Sequence, residues 1–408
     1  MKLSDWLIAG QCPSPRPDLE LMSECTKQLH QSIDAHIKRT GVAYLHPTQK
    51  TIQLDLLSSK QVIDWQEGKV AFLFEGEACW SQLPQLYARY GSVDGQKLLT
   101  KVRELENATS ALACDSGMQA TAIIFDVLLE PGSHAVMFRQ VYNKTAKYLS
   151  WIAERSGCRI SVVDDGDLDG LRDAISSDTT MVFAETYSNP LTRALDLDRV
   201  PRIVAEAKKN TARRIKLVVD STIATPWGTK KPLLDCGIDV VLFSGSKAFG
   251  GQDQDLAGFV ATNDNDLANA AMDLLAMRGG ILDWRRAEAF LENLQGASEA
   301  HLRRCQSATK VAAFLDAHPR VQEVHHPSLP GHPDAEAIAS GYQRHGSLLA
   351  FRLSGEPGAA EADAKQLSDA LATCLIVRYA LSFDGLTSKV NHHKSVSEYF
   401  TPDDALGR

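Results

Sequence analysis

The stretch Val240-Val-Leu-Phe-Ser-Gly-Ser-Lys247 begins with four apolar residues and ends in small hydroxyl residues and a lysine. A short apolar run that is bounded by glycine and polar residues is typical of a buried strand. The run Val240–Phe243 therefore predicts a strand that carries Lys247 out of the protein interior. A lysine is rarely placed among buried residues, so this position calls for a chemical reason.

Six further apolar runs have the same character as Val240–Phe243. They are Ser110–Cys114, His134–Phe138, Arg159–Val163, Met181–Ala184, Leu217–Val219 and Gly258–Ala261. Helical stretches lie between several of these runs, and strand–helix alternation favours an α/β fold with a mostly parallel central sheet. Such sheets bind ligands beyond the carboxyl ends of their strands, and the candidate functional residues all follow a strand.

A chain of 408 residues is too long for one ordinary core, so we expect more than one domain. The sequence predicts an N-terminal arm over residues 1–65, with a helical stretch around Leu19–Lys38. A large domain over 66–290 and a smaller C-terminal α/β domain over 291–408 follow. A long helical stretch, Arg285–His318, leads into the smaller domain, where Ser347–Leu353 is the expected strand.

Composition narrows the classes of function. The net charge of −8 argues against nucleic acid, which requires a basic face. No run reaches the roughly 18 apolar residues of a membrane span, and the start of the chain lacks the pattern of a signal peptide. The eight cysteines are scattered without a CxxC pair, which favours free thiols in a reducing cytoplasm over disulfides or a metal site.

Lys247 is the first candidate for a chemical role. Burial lowers the pKa of an amine and makes the amine nucleophilic toward an aldehyde. Ser244 and Ser246 could donate hydrogen bonds to a phosphate. A surface lysine at the end of a strand is the alternative, while a P-loop fits poorly because it requires glycine where Ser246 stands.

Two further strand ends carry groups that suit a cofactor with a ring nitrogen and a phosphate. Asp220 follows an apolar strand, and a protonated pyridine nitrogen, as in pyridoxal phosphate (PLP), would be a partner for its carboxylate. Ser116 and Gly117 precede a predicted helix whose free N–H groups form an anion site. Ordinary helix capping by Asp220, or by Asp115 or Ser116, is the alternative.

Asn189 and Tyr142 complete the candidates from the residues alone. Asn189 follows the strand that ends near Ala184, and its side chain could bond a phenolic oxygen of the cofactor. Tyr142 follows another strand and could stack on a flat ring. The alternatives are an Asn-Pro turn and a tyrosine packed within a loop.

The order and spacing of these features resemble the Cys/Met-metabolism family of PLP enzymes, which includes cystathionine γ-synthase, cystathionine lyases and methionine γ-lyase. The resemblance covers roughly residues 80–395. It implies the aspartate-aminotransferase-like fold (fold type I). The residues that carry it are Ser116-Gly117-Met118, Tyr142-Asn-Lys-Thr145, Glu185-Thr-Tyr-Ser-Asn-Pro190, Val219-Asp-Ser-Thr222 and Ser244-Gly-Ser-Lys247.

The resemblance also implies roles for these residues. Lys247 would hold PLP as a Schiff base, with Asp220 and Tyr142 as its partners in catalysis. Tyr87-Ala-Arg89 resembles a pair that the family lends to the phosphate of a neighbouring subunit, and the implied assembly is a homotetramer, a dimer of dimers with shared active sites. Ser382, in Ser382-Phe-Asp-Gly-Leu-Thr-Ser388, resembles the start of the family's SLGGxxS loop near the substrate carboxylate. The remaining residues implied to bind the cofactor are Ser116, Gly117, Met118, Asn189, Ser244 and Ser246.

The sequence departs from the family pattern on the substrate side. Ala248 replaces the usual aromatic residue, Gln252 replaces a histidine, and Tyr90-Gly-Ser-Val93 replaces an NPT segment. The family's late strand with a carboxylate-binding arginine does not appear before Arg408, so we expect the smaller domain to be incomplete at its C-terminal end. These departures suggest a substrate outside common metabolism, such as a non-protein amino acid.

The resemblance implies elimination or replacement at Cγ of an amino acid, either as a γ-lyase or as a γ-synthase. A β-lyase acting on cystathionine or a cysteine conjugate is the alternative, because such enzymes share these residues. An aminotransferase has the same fold with a different order of motifs, and a non-catalytic protein could keep the fold without the cofactor. The implied setting is cytoplasmic amino-acid metabolism, without nucleic acid, membrane or metal.

Overall fold

The computed structural model describes residues 87–210, 215–374 and 377–396. The predicted N-terminal arm and its helical stretch around Leu19–Lys38 lie outside these residues. The domain boundary near residue 290 stays a prediction. Among the described helices, none is both long and apolar enough to cross a membrane.

A seven-stranded sheet lies at the centre of the fold, in the spatial order β1-β7-β6-β5-β4-β2-β3. All its pairs are parallel except those of β7, which runs antiparallel to both β1 and β6. The mostly parallel α/β sheet that the sequence predicted is therefore confirmed. Its strands are β1 Ser110–Cys114, β2 His134–Phe138, β3 Arg159–Val163, β4 Thr179–Glu185, β5 Lys216–Asp220, β6 Val240–Ser244 and β7 Gly258–Thr262.

Several of these strands extend past their apolar runs into polar residues. Glu185 pairs with Asp220, and Ser244 pairs with Gly258, so the backbone ladder continues after the hydrophobic pattern has ended. The backbone that carries these polar side chains is therefore fixed by the hydrogen bonds of the sheet.

The sheet separates two apolar cores. Val182, Val219 and Val241 contribute to one core, and their sequence neighbours Phe183, Val218 and Leu242 contribute to the other. This division follows from the alternation of side chains along a strand. Helices cover both faces: α1 Val93–Glu106, α2 Gly117–Leu128, α3 Asn143–Ser156, α4 Leu168–Ala174, α5 Arg199–Asn210, α6 Asn265–Arg278 and α7 Trp284–Leu294.

The predicted continuous helix Arg285–His318 is wrong, because the structure contains two helices, α7 and α8 Ala297–Asp316. Between them, Gly296 has φ −129° and ψ 10°, outside the helical region, and acts as the N-cap of α8. Glycine is a poor helix former, which explains the break at this position.

The predicted strand Ser347–Leu353 is shorter in the structure, where β9 spans Ala350–Leu353. Its partner β8, Val321–His325, ends opposite Ala350, and Pro327 lies two residues further on. Proline cannot donate a ladder hydrogen bond, so the pairing does not extend to Ser347. The remaining elements are α9 Ala335–Gly341, α10 Pro357–Ala372, the parallel strands β10 Val377–Tyr379 and β11 Ser388–Val390, and α11 His393–Val396.

Close backbone packing at Gly258 supports the edge of the sheet where the strands end. A Cβ atom on Gly258 would lie 2.1 Å from the carbonyl oxygen of Ser116 and 2.8 Å from the Cα of Gly117. Because both neighbours are backbone atoms, a larger residue would have to displace the start of α2.

We predict that Gly258→Ala lowers the free energy of unfolding by about 1–3 kcal/mol, the usual cost of overpacking a core. Gly358→Ala is the matched control, because a Cβ there meets nothing within 4 Å. It lies inside α10, so alanine should leave stability unchanged or raise it by up to about 1 kcal/mol. Urea unfolding of both variants checks this, and equal stabilities would contradict the packing argument.

Candidate active site

The carboxyl ends of five strands meet along one edge of the sheet and open into one cavity of about 1990 Å³. β1, β2, β4, β5 and β6 all end at this edge, because they run in the same direction. The structure thus brings most of the predicted site residues together. Those that line the cavity are Ser116, Gly117, Met118, Tyr142, Asn189, Asp220, Ser244, Ser246, Lys247 and Ser382.

Lys247 lies in a short π-helical turn, Gly245–Phe249, which follows β6 directly. Its backbone angles, φ −94° and ψ −131°, are not helical, and they turn the residue out of the helical path. The Nζ atom donates a hydrogen bond of 2.5 Å to the Ser382 hydroxyl and lies 5.2 Å from the centre of the Phe383 ring.

The surroundings lower the pKa of Lys247. Burial is the main cause, and the charge of Lys389 adds to it, while Asp384 and Asp253 act in the opposite direction. A lower pKa increases the fraction of neutral amine near neutral pH, which is the form that attacks an aldehyde and accepts protons.

The start of α2 forms a cradle that suits a phosphate. Ser116 caps the helix by accepting a hydrogen bond of 3.2 Å from the backbone N–H of Gln119. A Cβ on Gly117 would lie 2.8 Å from the Cβ of Ser244, so only glycine lets the helix end approach the end of β6 this closely. The start of α2, with the free N–H groups of its first turn, and Ser244 therefore line the cavity side by side.

Ser246 is held differently from Ser244. Its hydroxyl accepts a hydrogen bond of 3.1 Å from the backbone N–H of Ala257, at the end of the connection between β6 and β7. The predicted bond from Ser246 to a phosphate thus stays a prediction, and its observed contact joins the lysine turn to the neighbouring segment.

Two carboxylates lie side by side at the ends of β4 and β5, where Glu185 and Asp220 are paired in register. Asp220 accepts a hydrogen bond of 2.8 Å from the N–H of Thr222, and Glu185 accepts one of 2.6 Å from the N–H of Tyr142. Burial raises the pKa of both carboxyls, and the charge of Asp220 raises the pKa of Glu185 further.

Neither carboxylate has a salt-bridge partner within the described ranges. Two neighbouring carboxylates without a cation are costly in a buried site, and a protonated ring nitrogen would supply the missing positive charge. The residues therefore fit PLP at both ends, with its phosphate at α2 and its ring nitrogen at Asp220.

Tyr142 and Asn189 flank the space between these two ends. The Tyr142 side chain is 43% exposed, and burial together with Glu185 raises the pKa of its hydroxyl. Asn189 precedes Pro190 through a cis peptide bond and faces the same cavity. Stacking by Tyr142 and a bond from Asn189 to the cofactor stay predictions, and both residues line the cavity.

Tyr87 and Arg89 do not line the cavity of their own chain. The guanidinium carbon of Arg89 lies 4.9 Å from the centre of the Tyr87 ring, so the two side chains contact each other. Both precede α1 at the start of the described residues. Their predicted role in a neighbouring subunit stays a prediction.

The structure also reveals site residues that the sequence did not single out. Arg304, Asp384 and Lys389 line the cavity near Lys247, and Thr222 accepts a hydrogen bond from the N–H of Ser244. Asp384 lies within the loop that resembles the family, at a position where the family has glycine. This departure is the sequence signal that could have identified Asp384 as a site residue. No sequence pattern pointed to Arg304.

Comparison with known proteins agrees with this geometry. Residues 72–404 match the family described as Cys/Met metabolism PLP-dependent enzyme. An L-methionine gamma-lyase of Fusobacterium nucleatum subsp. polymorphum is 30% identical over 272 residues, which cover 66% of this chain and 67% of that protein. A cystathionine beta-lyase of Coxiella burnetii is 30% identical over 71% of this chain and 72% of its own length.

Two further proteins extend the comparison. A cystathionine gamma-synthase of Mycobacterium leprae is 29% identical over 78% of this chain and 79% of its own length. The crystal structure of metB from Corynebacterium glutamicum superposes with a TM-score of 0.75, covers 95% of this chain and 91% of its own, and shares 24% sequence identity.

The central sheet and the lysine turn at its carboxyl edge define a PLP-dependent enzyme of fold type I. Within that class, the chain belongs to the Cys/Met metabolism PLP-dependent enzymes. The predicted fold, cofactor and family are thereby confirmed, and the non-catalytic alternative is set aside.

We predict that Asp220→Asn lowers kcat by about 100-fold or more, because a neutral amide cannot stabilise a protonated ring nitrogen. PLP should remain bound, which the visible absorbance of the purified variant reports. Asp178→Asn is the control, since Asp178 is an exposed carboxylate at the opposite edge of the sheet and should leave kcat unchanged. Near-normal turnover by Asp220→Asn would refute the role of this carboxylate.

Proposed function

We propose that the chain catalyses elimination or replacement at Cγ of an amino-acid substrate. The observation that carries this proposal is the Lys247 amine, which has a lowered pKa and lies one hydrogen bond from Ser382 within the cavity. Ser246 and Ala248, its neighbours in the turn, are small, so the lysine side chain has room to reach two adjacent carbons. Relatives named for γ reactions support the same assignment.

Bound PLP supplies an aldehyde that takes up the amino group of the substrate and a ring that withdraws electrons from Cα. Asp220 holds the proton on the ring nitrogen, and the start of α2 binds the phosphate. The neutral amine of Lys247 would accept the proton from Cα, release that proton to the bound cofactor and, neutral again, accept one from Cβ, which a γ reaction requires. Ser382 holds the amine in place between these transfers.

The alternative is β-elimination, which needs proton removal at Cα alone. The cystathionine beta-lyase of Coxiella burnetii, at 30% identity, is the observation in its favour. The same residues would perform this reaction, so the two cases differ in the number of protons that Lys247 moves. The departures at Ala248 and Gln252 favour a substrate outside common metabolism, such as a non-protein amino acid.

We further propose a homotetramer, built as a dimer of dimers, in which Tyr87 and Arg89 bind the phosphate of the neighbouring subunit. Their place outside their own cavity supports this arrangement. We also propose a cytoplasmic location. The cysteines within the described ranges are free thiols, which suits a reducing compartment.

Hydrogen exchange in deuterium oxide separates γ from β chemistry. With a slow substrate such as norvaline, a γ-acting enzyme should exchange the protons at both Cα and Cβ, because Lys247 removes both. NMR spectroscopy of the recovered amino acid measures this, and Lys247→Ala is the control that should exchange neither. Exchange at Cα alone, with rapid pyruvate release from β-substituted amino acids, would contradict the γ assignment and show that the enzyme is a β-lyase.

Mixed oligomers test the shared site. Combining Arg89→Ala chains with Lys247→Ala chains should restore about one quarter of parental activity, since half of the random dimers are mixed and each has one intact site of two. Combining Asp220→Asn with Lys247→Ala should restore none, because both residues lie in one chain's site. Absence of recovery in oligomers shown to be mixed would contradict the role of Arg89.

A further inference from the structure

The loop that carries Ser382 reaches the lysine turn from a distant part of the chain. It follows β10 and brings the Ser382 hydroxyl to 2.5 Å from the Nζ of Lys247. A hydrogen bond to a flexible lysine requires that both backbone segments stay in place, because small displacements would separate the two side chains.

Arg304 of α8 joins these two segments. Its Nη2 atom donates to the carbonyl oxygen of Ala248, the residue after Lys247, at 3.3 Å. Its Nη1 atom donates to the carbonyl oxygen of Gly385, in the Ser382 loop, also at 3.3 Å. A planar guanidinium offers several donors in fixed directions, so a single side chain bridges both carbonyls.

Asp384 fixes the loop end of this bridge. Its side chain is 1% exposed, and its Oδ1 atom lies 3.3 Å from the Nε of Arg304. The same oxygen accepts a hydrogen bond of 2.9 Å from the Ser347 hydroxyl. Asp384 has φ 61°, a left-handed conformation that is uncommon outside glycine, although aspartate tolerates it better than most residues, and the contacts of its side chain stabilise the loop in this shape.

A second ion pair holds the far end of the same loop. Lys389 pairs with Asp253, which lies six residues beyond Lys247. A Cβ on Gly385 would lie 2.1 Å from a carboxylate oxygen of Asp253, so the loop passes this segment without room for a side chain. The loop is thus attached both to the lysine turn and to the segment that follows it.

We propose that Arg304 and Asp384 are positioning residues that hold the Ser382 hydroxyl against the Lys247 amine. They act through the loop and the turn rather than on the reacting atoms. The inference rests on the proposed role of Lys247 as the amine that moves protons. The proposal gives a role to Asp384, which departs from the family pattern, and to Arg304, its ion-pair partner on α8.

The charges around the amine agree with this placement. Burial and Lys389 lower the pKa of Lys247, and Asp384 opposes them. Removing the charge of Asp384 should therefore lower the pKa of Lys247 further, so that its amine becomes reactive at lower pH.

The test compares Arg304→Met, Asp384→Asn and the double variant in the full-length enzyme. Each single variant should lose about 10–100-fold in kcat with little change in KM, because a displacement of about 1 Å can cost 100-fold. The double variant should lose no more than the worse single variant, since both changes break one contact. Lys310→Met is the control, because Lys310 is an exposed cation on the same helix that does not line the cavity, and its loss should leave kcat unchanged.

A second readout does not depend on turnover. In the cofactor-stripped chain, the pH dependence of Lys247 labelling by an amine reagent, followed by peptide mass mapping, reports the pKa of the amine. Asp384→Asn should move the labelling midpoint to lower pH, and Lys310→Met should leave it in place. An unchanged midpoint in Asp384→Asn would overturn the placement of this carboxylate beside the amine.

Other outcomes would also overturn the proposal. Losses that multiply in the double variant, or near-parental kcat in both single variants, would show that the pair does not act as a unit. If Arg304→Met fails to fold, Arg304→Lys replaces it in the test. Lysine keeps the charge but lacks the planar guanidinium that reaches both the Ala248 and the Gly385 carbonyl. Parental kcat in Arg304→Lys would therefore exclude the bridge. Activity retained by Lys247→Ala would instead refute the proposed function, while the labelling result would still stand.

Discussion

The site depends on one desolvated amine at the end of a buried strand. β6 carries Lys247 to the edge of the sheet, and the short turn that follows directs its side chain into the cavity. Burial destabilises the charged form of the amine, which makes it both a nucleophile and a proton acceptor near neutral pH. The neighbouring strands supply the groups that make this amine useful, because they end at the same edge.

Opposite charges are distributed along the cavity in the way that PLP requires. The start of α2 offers N–H groups at one end, and Glu185 and Asp220 place two carboxylates at the other. An anionic phosphate and a cationic ring nitrogen complement these ends, so the fold presents a dipolar site before any ligand arrives. The close approach of Gly117 to Ser244 keeps the phosphate end attached to the strand that holds Lys247.

Two departures from the family pattern, Ala248 and Asp384, lie close to Lys247. Asp384 replaces a glycine of the family loop, and Arg304 supplies its counter-charge from α8. A buried ion pair costs desolvation energy, and breaking it costs more, so its presence beside the reacting amine indicates a role in geometry rather than in stability. Lys389 and Asp253 hold the same loop at its other end.

The sequence by itself determined the strands and the residues that we propose as cofactor anchors. Each of the seven strands contains a local apolar run. The Ser116 cap and the Lys247 turn also depend on only a few residues, because burial patterns and helix capping are local properties of a sequence. Only the tertiary structure decided the reversed direction of β7 and the late start of β9. It also decided the contacts of Arg304 with Ala248, Asp384 and Gly385. These features depend on which distant segments pack together, and the periodicity of a sequence reports which side chains are buried but not which partners they meet.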